Sequence, residues 1–333
     1  MKEHQLDLAI AISDYAHQII QQNFQKFVDQ EEAVFKDNDP EPLHQMRVGM
    51  RKLRTSVQVF SKAIILPKGV SNSSIGKIAR SLGETRDLDV LQQNLTTRYQ
   101  PLLQKEEQAK FDKVIHHLHQ KRDRSFLKLK KMLNGDRYQN LKRSLQDWLA
   151  QPTYTVMGNL SVLEILPDLL LPLICQLFLH SGWLVGTTMQ AGKVSLIPIE
   201  NSEELNHQLS KLGDDLHDLR KQIKGVRYQT EFFSDFYEAA YMQRIEEFKA
   251  IQETLGQLQD HLVLRHFLES TLKADLAKVL PTVARAMQEE SITFWQSWKP
   301  LQKNYLSPKF RKSLRSLVMT PLQYSNLRSN PNQ

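Results

Sequence analysis

Apolar residues recur every three or four positions through most of this 333-residue chain, the spacing of α-helices that bury one face. The pattern predicts helices over 5–28, 42–66, 74–99, 102–133 and 138–150. A second series follows at 160–182, 202–236, 238–272 and 275–303, with a basic C-terminal piece, SPKFRKSLRSL, at 307–317. Breakers fall at the joints: DNDPEP before the second helix, LPKGVSNS before the third, Pro101 before the fourth and NGD at 134–136. Only GTTMQAGKVSLIPIE, 186–200, reads as a strand or hairpin, inserted between helices. With 12 Gly and 13 Pro in the whole chain, the expected fold class is all-α.

The most apolar run, LSVLEILPDLLLPLICQLFLH, is broken by Glu164, Pro167, Asp168 and Pro172. Its uninterrupted part is shorter than the ~20 residues of a membrane span, so it reads as a buried helix and no membrane span is expected. Cys175 lies within it and reads as a small buried hydrophobe; a lone cysteine excludes an internal disulfide. The N-terminus, MKEHQLDLAIAISDYAHQ, shows neither a basic leader nor a small-residue cleavage site, which reads as a mature cytoplasmic start.

Charge changes the picture by its distribution. The chain carries +7 overall, but residues 51–150 hold 21 Lys and Arg against nine Asp and Glu, whereas residues 151–300 hold 13 against 19. Such unevenness points to a focused positive field and a polyanionic partner. One source is LHQMRVGMRKLR, 43–54. At about 100° per residue, His44, Arg47, Arg51 and Arg54 fall within an arc of about 80°. Leu43, Met46, Met50, Leu53 and Val57 occupy the adjoining arc, so the cationic stripe borders the buried face.

The stripe recurs. LHDLRKQIKGVR at 216–227 places His217, Arg220, Lys224 and Arg227 at the same intervals, with Lys221 beside them, 173 residues further on. LGETRDLDVL at 82–91 and LGQLQDHLVL at 255–264 are also 173 apart, and Tyr138 and Phe310, in DRYQNL and PKFRKSL, are 172 apart. These ordered matches suggest an internal duplication: two pseudo-symmetric four-helix bundles, whose paired stripes would face a basic central cleft. The expected division is 1–150 for the first repeat, 151–160 for a linker, 161–320 for the second repeat and 321–333 for a disordered tail.

Each candidate has a plainer reading beside it. A charged stripe is often a solvated face, although its repetition in both halves weighs against that here. Asp87 and Asp260 recur at matching places and read either as structural salt-bridge partners or as groups that orient the arginines. His44 and His217 are either structural or, beside bound phosphate, proton-dependent donors. Gly83 and Gly256, inside helices, suggest that another backbone comes close. KRDRSFLKLKK, 121–131, reads as a solvated helix that extends the positive surface, and HHLH, 116–119, as helix surface. Walker, HExxH, CxxC and GxSxG patterns are all missing, so neither a catalytic residue, a metal nor a cofactor is expected. RNA or DNA binding remains an alternative, though Tyr228 is the one aromatic at the stripes suited to base stacking. A metal-dependent phosphohydrolase using Asp87 or Asp260 is the enzymatic rival.

HxxRVxxRxLR (44–54) and HxLRKxxKxxRY (217–228), each followed 38 residues after its histidine by LGxxxDxxV, together resemble the CHAD family, the conserved-histidine α-helical domain. The resemblance extends over nearly the whole chain, through RYQNL and Trp148. It implies two four-helix bundles around a basic cleft, binding of inorganic polyphosphate without catalysis and, for some members, association with polyphosphate granules. Carried over by matching positions, the ligand-binding set is His44, Arg47, Arg51, Arg54, His217, Arg220, Lys221, Lys224 and Arg227, with Arg86 a further candidate. Gln259 stands where the second motif would repeat Arg86, so an asymmetric cleft is expected. Some relatives carry a triphosphate-processing CYTH domain; this chain has no ExExK motif, so no hydrolase is implied.

Overall fold

The computed structural model describes residues 9–199 and 201–322, and they are almost entirely helical. Residues 5–8 of the first expected helix, and the expected tail from residue 323 onward, lie outside the described residues. The chain divides into two compact units, Ala9–Val162 and the part from Leu163 onward.

In the first unit, α1 (Ile12–Val28), α3 (Pro40–Val59), α4 (Asn72–Asn94) and α5 (Lys105–Leu133) pack in succession, with α6 (Asp136–Ala150) closing the layer. The short α2 (Glu31–Lys36) was not predicted: one and a half turns are too few for a periodic pattern to show. Local chemistry starts the long helices where the breakers suggested. Asp39 caps α3 by accepting from the Glu41 N–H at 2.7 Å, with Pro40 in the first turn. Ser71 and Ser74 form a reciprocal capping box at the start of α4. The expected helix 42–66 ends at Val59. Its apolar pattern runs on because Phe60, Ala63 and Ile64 are buried in the turn that follows.

That turn is where residues 151–160 attach. Ile64 bridges Tyr154, the Ile65 N–H donates to the Thr153 carbonyl at 2.9 Å, and the Trp148 indole donates to the Ile65 carbonyl at 2.9 Å. A second bridge joins Ala11 to Ser161. The stretch is thus stitched to the first unit by backbone bonds.

The second unit takes α7 (Val162–Phe178) from Leu163 onward, then α8 (Ser202–Glu231), α9 (Ala239–Leu272), α10 (Leu276–Val279), α11 (Pro281–Leu306) and α12 (Pro308–Val318). α7 passes through Pro167 and Pro172 and is one-sided, with Leu166, Leu170, Ile174 and Leu177 fully buried and Glu164 and Asp168 exposed. Cys175 is only half-buried: it lies at the edge of this face, not within it. The expected helix 275–303 is divided at Leu280, just before Pro281. Trp183 stacks on Tyr305 at 4.7 Å and on Trp298 at 5.5 Å. Gln302, fully buried, donates to the Trp183 and Val185 carbonyls at 2.8 and 2.7 Å. The inserted hairpin pairs β1 (Thr187–Gln190) with β2 (Lys193–Leu196) through Ala191 and Gly192, both at positive φ as a two-residue type I′ turn requires.

Candidate anion-binding site

The helical phase of α3 does what its sequence implies. Leu43, Met46, Met50 and Leu53 are buried, and His44, Arg47 and Arg51 are half-buried along the border, while Arg54 is exposed. Arg47 reaches α4, where its guanidinium donates to Asp87 at 3.1 Å and lies against Gly83. A Cβ on Gly83 would meet the Arg47 Nε at 3.4 Å. Arg54 crosses to the start of the same helix, donating from Nε to the Asn72 side chain at 2.5 Å and covering Gly76.

Arg86 stands half-buried on α4, its Nε buried without a hydrogen-bond partner. Its charge is felt at His44. Burial pushes the His44 imidazole below its ordinary pKa, Arg86 pushes the same way, Glu41 pulls back, and Arg47 and Arg51 add smaller pushes downward. His44, Arg47, Arg51 and Arg86 therefore form one electrostatic cluster in which burial and the neighbouring cations disfavour the protonated imidazole.

α8 repeats the arrangement in the second unit. Arg220 lies against Gly256 of α9, where a Cβ would meet its Nε at 3.1 Å, and that Nε is buried without a hydrogen-bond partner. The His217 Nδ1 is buried and unpaired too. Burial again lowers the histidine's pKa, with Lys221 and then Arg220 adding to it, against Asp218 and Asp214. Lys224 is half-buried; Lys221 is exposed and pairs with Asp218 at 2.9 Å. Arg227 is turned to internal work: it bonds Glu231, donates to Gln252 at 3.1 Å and covers the Tyr228 ring at 4.5 Å. Asp260 is exposed on α9.

The helices carrying both stripes fall within residues 18–269, which match the family model described as the CHAD domain. The chain belongs to the CHAD domain family. Two solved structures share its fold. The CHAD domain from the plant Ricinus communis aligns at 22% identity with a TM-score of 0.60, covering 95% of this chain and 96% of that one. PptA from Streptomyces chartreusis aligns at 10% identity and a TM-score of 0.63, covering 88% of this chain and 99% of that one. No curated protein matches.

Seen as a CHAD domain, the chain corrects one reading of its own motifs. Gly83 and Gly256 face a guanidinium, not another backbone: in each LG motif the glycine lies under the arginine of the preceding HxxR stripe motif, tightly at Gly256 and at ordinary contact distance at Gly83. A second correction concerns Arg122, which the basic run 121–131 hid among solvated cations. Arg122 is largely buried, hydrogen-bonded through both terminal nitrogens to Asp37 and through Nε to Asp89 at 3.0 Å. The Asp37 hydrogen bonds raise its pKa most, whereas burial raises that of Asp89 despite Arg122. No periodicity signals this network, because Asp37 lies in a turn and takes a left-handed conformation. Tyr228, the candidate stacking residue, is buried under Arg227.

His116 bonds Gln120 at 2.8 Å on an exposed face of α5. Among the described residues no cluster of His, Cys, Asp and Glu is arranged to hold a metal ion, and no helix is long and apolar enough to cross a membrane.

Proposed function

We propose that this CHAD chain binds inorganic polyphosphate without catalysing a reaction on it, using His44, Arg47, Arg51 and Arg86 in one unit and His217, Arg220, Lys221 and Lys224 in the other. The observation that carries the reading is the paired seating of Arg47 on Gly83 and Arg220 on Gly256. A helix interior gives up about 1 kcal/mol for a glycine in place of alanine. At Gly256 this makes room for the Arg220 guanidinium; at Gly83 the Arg47 guanidinium takes the matching seat at ordinary contact distance. Each seat adjoins a histidine whose proton is disfavoured by burial and by neighbouring cations. Cations gathered this way stabilise little in the empty protein and gain most from a dense anion. Arginines would fork onto phosphate oxygens, and lysines would act as mobile point charges. Arg54 and Arg227, already engaged by Asn72 and Glu231, belong to the edge of this set.

Burial of Tyr228 removes the one aromatic at the stripes suited to base stacking, which favours polyphosphate over RNA or DNA. A cytoplasmic setting, on polyphosphate granules, is part of the same proposal. The test is charge reversal, Arg51→Glu with Lys224→Glu, followed by titration with long-chain polyphosphate. Affinity for the long chain is expected to fall at least about a hundredfold while helical circular dichroism is unchanged; undiminished affinity rejects the site. RNA displacing polyphosphate at equal phosphate concentration and matched ionic strength would favour nucleic acid instead. Phosphate release with Mg²⁺ would revive an enzyme.

A further inference from the structure

We infer that the first unit carries a second site, selective for a phosphoryl group and apart from the stripes, in a cavity of about 350 Å³ between the 67–71 turn, the start of α4 and α6. Three elements each send a cation to it: Lys68 from the turn, Lys77 from α4 and Arg137 from α6. Ser73 and Ser144 add hydroxyls, and the described residues lining the cavity include no carboxylate. Nor does any ion pair among the described residues involve these three cations. This is not the general character of the unit. Its cavity beside α2 is lined by Asp37, Asp39, Glu41 and Asp89, together with Arg86 and Arg122.

The three cations are exposed and meet no counter-charge, so together they leave a positive field over the hollow that an anion would quench. The first turn of α4 adds to the pull. Ser71 and Ser74 satisfy each other's backbone donors, while the N–H groups of Asn72 and Ser73 have no helical carbonyl to reach. The chemistry fits a tetrahedral phosphoryl group, with Lys and Arg charge, serine hydroxyls and main-chain N–H as donors. Arg54, the last cation of the α3 stripe, bonds Asn72 at 2.5 Å, so the stripe ends at the helix turn where this cavity begins. The occupant is a phosphoryl group of free pyrophosphate or of a polyphosphate chain end; only the second source rests on the proposed function.

The experiment uses the full chain and records amide spectra during titration with pyrophosphate, with long-chain polyphosphate and with sulfate as control. Pyrophosphate is expected to move the Asn72 and Ser73 amides in the parent and in the Arg51→Glu/Lys224→Glu variant. Lys77→Gln with Arg137→Gln should weaken that response at least tenfold with helicity unchanged. Response to long-chain polyphosphate alone assigns the site to chain ends and supports the inference too. It is overturned if neither phosphate form moves these amides, if sulfate moves them equally, or if Lys77→Gln/Arg137→Gln leaves the response intact. Should the stripe variant keep polyphosphate affinity while the Lys77/Arg137 variant loses pyrophosphate, the proposed function falls and this site stands.

Discussion

Arg220 of α8 rests on Gly256 of α9 closely enough that an added Cβ would meet its Nε at 3.1 Å, while a Cβ on Gly83 would meet the Arg47 Nε at 3.4 Å. The small difference separates two otherwise equivalent substitutions. Gly83→Ala places a methyl at ordinary contact distance, so it should stabilise the protein by about 1 kcal/mol through helix propensity and leave polyphosphate affinity within about twofold. Gly256→Ala gains the same propensity but displaces Arg220. It should weaken binding by roughly threefold to tenfold, about 1 kcal/mol at one charge-assisted contact. Thermal melting and a binding isotherm on each variant check both halves of the contrast.

Gly49 meets a harder neighbour. A Cβ there would lie 2.9 Å from the Phe27 backbone nitrogen and 3.3 Å from the Asn23 carbonyl oxygen, so α3 touches α1 main chain to main chain. A backbone cannot swing aside as a guanidinium can. Gly49→Ala is expected to cost about 1–3 kcal/mol of overpacking, more than the helix propensity it gains. A lower urea midpoint with an unchanged m-value is the predicted signature. Because α3 carries His44, Arg47 and Arg51, some loss of polyphosphate affinity should accompany it.

These glycines mark the boundary of what the chain's pattern discloses. Burial of Leu43, Met46, Met50 and Leu53, and the half-exposed border holding the stripe, follow from a period of 3.6 alone. The hairpin at 187–196 was legible because Ala-Gly interrupts an otherwise strand-like run. What presses on Gly83 was not legible, since a helical glycine signals only that something is close. Arg122 was hidden for a different reason: its partners Asp37 and Asp89 lie 85 and 33 residues away, and one basic residue among many carries no mark of its burial. The apolar spacing beyond Val59 misled because Phe60 and Ile64 are buried by a turn, where helical phase no longer applies.

Arg122 should be the most costly cation to remove. Its side chain is 15% exposed and that of Asp89 7%, so Arg122→Met leaves a buried carboxylate without its counter-charge. Breaking a buried pair in this way costs about 3–5 kcal/mol. Arg122→Lys keeps the charge but not the fork that spans Asp37 and Asp89, and it should lose an intermediate amount. Asp89→Asn retains an acceptor for the Arg122 Nε while removing a charge that burial already disfavours, so it should cost less than either. Urea unfolding of the three variants ranks them; a cost below about 1 kcal/mol for Arg122→Met would place the network in solvent-screened surroundings.

The two histidines make the stripes sensitive to pH in opposite ways when empty and when filled. For His44, burial and the charges of Arg86, Arg47 and Arg51 lower the folded pKa against Glu41. For His217, burial, Lys221 and Arg220 do so against Asp218 and Asp214. The unfolded chain therefore takes up protons first as pH falls through the ordinary histidine range near pH 6.5, and the empty protein loses stability from there downward, through the lowered folded pKa values. A bound polyanion reverses the local potential and raises both pKa values, so binding takes up protons. Polyphosphate affinity should accordingly increase as pH falls from 7.5 to 5.5, by up to about tenfold per pH unit for each proton taken up. His44→Gln with His217→Gln should flatten both profiles, with the largest loss of affinity at the acid end of the range. Calorimetry in buffers of different ionisation enthalpy counts the protons directly, and an uptake of zero at pH 6 would place both histidines outside the field of the bound chain.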